Sequence, residues 1–253
     1  MIDDATSRTA IAAAAGRLGS TVGPDTLGLP VAACPGWSLE RLVGHTGRVH
    51  RWVTGKLLDP GSAVRRSDDV ADQPPEGPAI ATWFDAGAAA LLDALATVDL
   101  DAEIDTWAGR QPTRFWLRRM LQETTVHAWD AEATVGTPQP IDPAIALDGV
   151  DEVLDMILPS RFDVAGFGGA GETIHLHATD EGLPEGAGEW LLTIGAERVE
   201  VAREHAKGDV AVRGPASSLL LLMWSRPAGA LADDLTVFGE RSVLDRYAAA
   251  ARF

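Results

Sequence analysis

Apolar positions in the first half of the chain recur every three or four residues, which is the spacing of helices that bury one face. The pattern predicts four helices, at about 4–18, 38–58, 79–98 and 113–135. Ser38 is a good helix N-cap, and Gly136 with Pro138 is a typical helix stop. Helices of this length and spacing predict a four-helix bundle.

The second half has short runs in which apolar and polar residues alternate, as in strands with one buried face. The predicted strands lie at about 173–177, 190–194, 199–201 and 210–212. Further helices are predicted at about 143–158, 216–224 and 241–250. The sequence therefore predicts an all-α domain over residues 1–140 and a small α+β domain with a mostly antiparallel sheet over 141–253.

Charge and composition narrow the possible partners. The 253 residues carry a formal net charge of −16, which argues against binding to nucleic acid or to an anionic membrane. The longest apolar run, residues 219–224, is too short to span a bilayer, and no secretory leader is visible at the start. We therefore expect a cytoplasmic protein. Lysine occurs only at positions 56 and 207, and the preference for arginine suggests a GC-rich bacterial genome.

Two imidazoles and a carboxylate stand on apolar helix stripes. Glu123 and His127 are four residues apart, between Met120 and Ala131, and His45 lies on a similar stripe of the second predicted helix. Buried polar groups are costly unless they have partners. A shared divalent metal, zinc in the first place, would satisfy all three and leave a coordination position open for chemistry.

Simpler interpretations compete with this metal site. A Glu-x-x-x-His pair is often a surface ion pair on a helix, and a lone buried histidine is more often hydrogen-bonded than a ligand. Asp130 follows His127 by three residues and either orients that ligand or is a solvated residue near the helix end.

The remaining histidines look less promising. His50 lies off the stripe and is expected to be exposed. His175 and His177 share one strand face and could form a metal pair, but no third ligand is evident, so an ordinary sheet surface is favoured. His205 resembles a solvated turn residue. Cys34, the single cysteine, lies in a loop without an evident base nearby and is expected to be a small buried hydrophobe.

Arginine near the end of the helix predicted at 216–224 has two interpretations. Arg226 would either cap the last helix carbonyls or reach an anionic substrate. Arg213 is a weaker alternative for the second role.

The segment 34–38, Cys-Pro-Gly-Trp-Ser, leads to His45 and resembles the opening motif of the mycothiol-dependent maleylpyruvate isomerase family. The segment 123–130, Glu-Thr-Thr-Val-His-Ala-Trp-Asp, resembles its second motif. That family is one of the DinB-like metal-binding four-helix bundles, with a C-terminal domain similar to sterol carrier proteins. The resemblance implies that His45, Glu123 and His127 bind zinc, with water or a thiol as fourth ligand. It also implies an active arginine, best matched by Arg226, and an actinobacterial source, since mycothiol is the thiol of actinobacteria.

These features together predict an enzyme that uses zinc, or another divalent metal, and mycothiol on a small electrophilic substrate. A metal-bound thiol is ionised and can add to a conjugated double bond for cis–trans isomerisation, or be transferred to an electrophile. One alternative is a zinc-dependent hydrolase with Asp130 as general base. Another is a non-catalytic protein that binds metal or a small apolar ligand.

Overall fold

The computed structural model describes residues 2–136, 138–226 and 234–251 of the chain. The chain divides into two units, Met1–Gln139 and Pro140–Phe253. The first unit is mainly helical, and the second combines helices with a five-stranded sheet.

Four long helices form the first unit. They are α1 (Asp4–Ser20), α2 (Leu39–Leu58), α3 (Ala79–Thr97) and α4 (Arg114–Val135). Each end lies within two residues of the position that the sequence predicts. The predicted caps explain this agreement, because the Ser38 side chain accepts a hydrogen bond from the Arg41 amide, and Gly136 ends α4 in the left-handed conformation with φ of 89°.

The core of the first unit fixes where α2 lies. Its fully buried side chains come from all four helices and include Leu18, Leu42, Phe84 and Ala128. Helix α2 approaches α3 at Gly47, where an added Cβ would overlap the Trp83 ring. The Arg51 guanidinium lies 3.7 Å from the centroid of that ring and donates to the Trp83 carbonyl oxygen at 2.7 Å. These contacts hold the helix that carries His45.

A short hairpin between α3 and α4 is absent from the sequence predictions. Strands β1 (Glu103–Thr106) and β2 (Gly109–Pro112) pair antiparallel, and Ile104 is their one buried residue. Because the hairpin is mostly exposed, apolar and polar residues do not alternate along its strands. The sequence pattern therefore gives no signal for it.

Helix α3 is the one described helix that is long and apolar enough to cross a membrane. Its large side chains Phe84 and Leu91 are fully buried in the helical core. A core helix passes the same test of length and composition, so this is weak evidence for a membrane segment.

The second unit is built on a mixed sheet. Its strands are β3 (Glu172–Ala178), β4 (Glu189–Ile194), β5 (Val199–Ala202), β6 (Val210–Gly214) and β7 (Thr236–Gly239). Their order is β5-β4-β3-β6-β7, in which β3 and β6 are parallel and the other three pairs are antiparallel. The predicted α+β fold with a mostly antiparallel sheet is confirmed. The sequence predicted four of these strands but not the edge strand β7, which is largely exposed.

The helices of the second unit agree with the sequence except in one region. They are α5 (Pro143–Glu152), α6 (Leu158–Arg161), α7 (Val164–Phe167), α8 (Ala216–Met223) and α9 (Arg241–Ala250). A π-helical turn, Val153–Ile157, joins α5 to α6 where the sequence predicts one continuous helix. The side chain of Asp142 caps α5, and Pro143 occupies its first turn.

Candidate functional site

Helices α2 and α4 bring His45, Glu123 and His127 together. Oxygen Oε1 of Glu123 lies 3.3 Å from Nε2 of His45 and 3.4 Å from Nε2 of His127. The two imidazole rings meet edge to face, with centroids 5.4 Å apart. The three residues, which the sequence assigns to apolar stripes of two different helices, therefore meet in one site.

The three side chains are mostly buried but still reach solvent. Their exposed fractions are 26% for His45, 18% for Glu123 and 12% for His127. A site of this kind is largely desolvated, which strengthens electrostatic interactions, yet a small molecule can approach it. The alternative interpretation of Glu123 and His127 as an exposed ion pair on a helix surface does not fit, because both side chains are mostly buried.

Asp130 and Arg119 hold two of these side chains. Oδ2 of Asp130 lies 3.0 Å from Nδ1 of His127, and the Asp130 side chain is fully buried. The alternative of a solvated Asp130 near the helix end is therefore wrong. Arg119, one turn before Glu123, donates from Nη2 to Oε2 of Glu123 at 3.2 Å. Sequence reasoning missed Arg119, although its spacing of four residues from Glu123 was available as a signal.

The charges of the site depend on each other. Burial alone would raise the pKa of Glu123, but the charge of His127 and hydrogen bonds with His127 and His45 keep that pKa well below its usual range. Burial would lower the pKa of His127, but the Glu123 charge and the hydrogen bond to Asp130 raise it to about 9. At neutral pH the metal-free site is thus an ion pair, and a metal would replace the proton of His127.

The opening motif supplies further neighbours. The Trp37 ring packs edge-on against His45, with centroids 4.9 Å apart. The half-buried Cys34 forms a second group of possible ligands with His127 and Asp130, whose donor atoms lie within 4.8 Å of one another. In the sequence, Cys34 has no evident base nearby. In the fold, the loop before α2 brings Cys34 close to His127 and Asp130 on α4.

His50 is completely buried, and the expectation that it is exposed is wrong. Its Nε2 lies 2.9 Å from the Thr124 hydroxyl oxygen, so it joins α2 to α4 beside the site. Burial lowers the pKa of His50 to about 4. His50 is therefore a neutral structural histidine at physiological pH.

Arg226 belongs to the second unit and is buried there. Its Nη1 donates to the Trp224 carbonyl at 2.9 Å, and its backbone amide donates to the Leu221 carbonyl at 2.9 Å. These bonds correspond to the first interpretation of the sequence, a cap at the end of α8. A role of Arg226 in substrate binding remains a prediction.

The donor set of His45, Glu123 and His127 fits a zinc ion. The three donor atoms lie within 4.8 Å of one another. Two ligands around a tetrahedral zinc ion with bonds of about 2.0–2.1 Å are separated by roughly 3.3 Å. The distances from Oε1 of Glu123 to the two imidazole nitrogens, 3.3 and 3.4 Å, match this spacing and exceed those of strong hydrogen bonds.

Two solved structures resemble the chain along nearly its whole length. They are crystal structures of the mycothiol-dependent maleylpyruvate isomerase and of one of its mutants. Each is 15% identical, has a TM-score of 0.62, and aligns over 94% of this chain and 95% of the other. At this identity the likeness shows a shared fold. A ubiquinone synthesis protein, UbiJ-SCP2, aligns with 43% of the chain at a TM-score of 0.31, which is too low to support an argument.

Sequence families give a more direct assignment. The mycothiol maleylpyruvate isomerase N-terminal domain family matches residues 8–132, and the corresponding C-terminal domain family matches residues 144–246. No curated protein matches the chain. The two domain matches together cover most of the sequence, in the order that the family requires. The chain therefore belongs to the mycothiol-dependent maleylpyruvate isomerase family and is an isomerase-like enzyme, as its two motifs predicted.

Proposed function

We propose that the protein is a zinc enzyme that uses mycothiol to isomerise a small electrophilic substrate with a conjugated double bond. The observation that carries the proposal is the meeting of His45, Glu123 and His127 at the spacing of zinc ligands. The family supports the thiol and the type of reaction. When bound, zinc would keep the thiol ionised at neutral pH, the form that adds reversibly to a conjugated double bond and so permits rotation.

The residues of the chain hold this arrangement in place. Asp130 accepts from Nδ1 of His127 and leaves Nε2 of that ring facing Glu123. Arg119 holds the second oxygen of Glu123, while Trp37 packs against His45. Each proposed ligand thus has a contact that fixes its orientation, which is the usual support of a metal site.

Transfer of the thiol to a substrate is the second outcome of the same chemistry, because it needs the same ligands. A hydrolase is less well supported. Its general base would be Asp130, but the side chain of that residue is buried and contacts His127. The cytoplasmic and actinobacterial setting, and zinc as the metal, remain predictions.

Arg226 keeps a proposed part in substrate binding. Its fixed charge would attract the carboxylate of an acidic substrate. If so, Arg226→Lys should raise KM more than it lowers kcat. If Arg226 acts only as the cap of α8, the variant should lower the unfolding temperature and leave KM unchanged.

Turnover with purified full-length protein tests the proposal. Protein loaded with zinc is mixed with mycothiol and maleylpyruvate, and the trans isomer or the thiol adduct is followed by NMR. We expect turnover that needs both the thiol and zinc and is lost in His127→Ala, while Arg110→Ala, an exposed control in the hairpin, keeps it. Full zinc loading without thiol-dependent turnover of this or related cis-configured acids would overturn the proposal.

A further inference from the structure

Three histidines of the second unit surround one carboxylate. The Glu189 oxygens lie 2.7 Å from Nε2 of His175, 2.5 Å from Nδ1 of His177 and 3.0 Å from Nδ1 of His205. One ligand atom from each of the four residues lies within 4.8 Å of the others. We call these four residues the sheet cluster. The third ligand that the sequence lacked is therefore present, and a fourth accompanies it.

Strand register explains how the sheet cluster forms. His175 and His177 are two residues apart on β3 and so share one face. His177 lies directly opposite Glu189, the first residue of β4. His205 comes from the loop between β5 and β6, and β5 pairs with β4. A strand pair and a loop thus bring together residues up to 30 positions apart in the chain.

The ion-pair partners of Glu189 set it apart from two other partly buried carboxylates of the chain. Glu132 is paired with Arg17, and Glu172 is paired with Arg246. The ion-pair partners recorded for Glu189 in the described part of the chain are all histidines. Imidazoles are good ligands for a divalent cation, and such a cation would balance the charge of the desolvated carboxylate. All three histidines of this unit take part.

Burial within the sheet cluster is graded. The side chains of His175 and Glu189 are 6% and 13% exposed, whereas His177 is 28% and His205 is 74% exposed. His175 and Glu189 thus form the buried side of the cluster, and His177 and His205 form the side nearer solvent. Since all three N–O distances, including the 2.7 Å of the buried pair, are those of hydrogen bonds, an ion would require each ring to move away from Glu189 by a fraction of an ångström, to the roughly 3.3 Å between ligands of zinc.

We propose that His175, His177, Glu189 and His205 bind a divalent transition-metal ion, with zinc the best match to three imidazoles and a carboxylate. Four protein ligands complete a tetrahedral shell, so the role is structural and not catalytic. The ion would fasten the loop between β5 and β6 to the sheet. This site is separate from the one proposed for activity, and its test does not depend on turnover.

Zinc counting on the full chain is the first test. We expect two tightly bound zinc ions per wild-type chain, one in His127→Ala, one in His177→Ala and none in the double variant. His205→Asn, at an exposed position that folding tolerates, should likewise reduce two ions to one. A single ion in the wild type that is lost in His127→Ala, or an ion in His127→Ala that persists after His177→Ala, would overturn the proposal.

Proteolysis of the loop is the second test, and it is independent of stoichiometry. Lys207 is exposed, two residues after His205, and is a site for trypsin. With zinc at a hundred times its Kd, we expect cleavage through local opening to slow by up to about 100-fold. His205→Asn should abolish this protection, while Glu204→Gln, an exposed neighbour outside the cluster, should retain it. Equal cleavage with and without zinc would contradict a metal-fastened loop.

Discussion

The site of the helical unit and the sheet cluster use the same residue types in different ways. In the helical unit two nitrogens stand 3.3 and 3.4 Å from one carboxylate oxygen, the spacing of ligands around an ion. In the sheet cluster the corresponding distances are 2.5 to 3.0 Å, the spacing of hydrogen bonds. The first has three donors and leaves room for a substrate, whereas the second has four and leaves none. Donor number and spacing separate a candidate catalytic site from a candidate structural one.

The support around each carboxylate differs as well. Arg119 holds Glu123, and Asp130 holds His127. Two charged residues outside the set of three ligands therefore position those ligands. Glu189 is held by the histidines themselves. We infer that the helical site keeps its shape without an ion, whereas the sheet cluster adjusts when it takes one.

The largest expected effect comes from removing the charge of Glu123 in the helical site. Glu123→Gln should lose the zinc of the helical unit, with turnover falling to the rate without enzyme, because the three ligands lose their one carboxylate. The control Glu132→Gln, on the same helix α4, removes the charge that pairs with Arg17, while its carbonyl oxygen can still accept from the Gln139 amide. This variant should keep both the zinc and the turnover. Metal analysis and turnover assays measure these outcomes. The comparison breaks if Glu123→Gln retains both its zinc and its activity.

The next effect distinguishes a structural histidine from a ligand. An unfolded histidine binds a proton near pH 6.5, but His50 does so only near pH 4, so the unfolded state holds the extra proton between these values. Its contribution to stability is present above pH 6.5 and lost as the pH falls towards 4, by about 3 kcal/mol in total. Urea unfolding of metal-free protein should show this loss in the wild type and much less of it in His50→Gln. Parallel curves for the two proteins would contradict the assignment, and zinc content should be unchanged.

The smallest effect concerns orientation. Asp130→Asn keeps the size of the side chain but weakens its hold on the His127 ring, and we expect the zinc affinity of the helical site to fall by about 10- to 100-fold. Competition with a chelator dye measures the affinity, and the exposed Asp93→Asn on α3 is the control. An unchanged affinity would mean that the bond between Asp130 and His127 does not position the ligand. Zinc protection of the loop around Lys207 should be the same in all three proteins.

The contrast between the two sites also explains what the sequence could predict. Glu123 and His127 share a helix stripe, so their meeting follows from local periodicity, and His45 shows the same inward position. Glu189 and His205 reach His175 and His177 only through strand register and a loop, neither of which the alternation of residues encodes. The sequence gives no sign that these four residues meet.

The fold follows the same rule. Helix ends with a capping residue, such as Ser38 and Gly136, are predicted closely because the cap is local chemistry. The hairpin β1–β2 and the strand β7 escape prediction because they are mostly exposed and lack an apolar face. The expectation for His50 is wrong because a position off the main stripe suggests exposure, whereas α2 is enclosed on more than one side.

Arg119 determines how Glu123 can act. Its guanidinium occupies Oε2, so the carboxylate offers one oxygen to the two histidines and gives up part of its negative charge to the arginine. An ion held there would be a stronger Lewis acid than one held by a free glutamate, because less of its positive charge is neutralised. Arg119 would thus lower the pKa of a thiol bound to that ion, although it lies one helical turn away from Glu123.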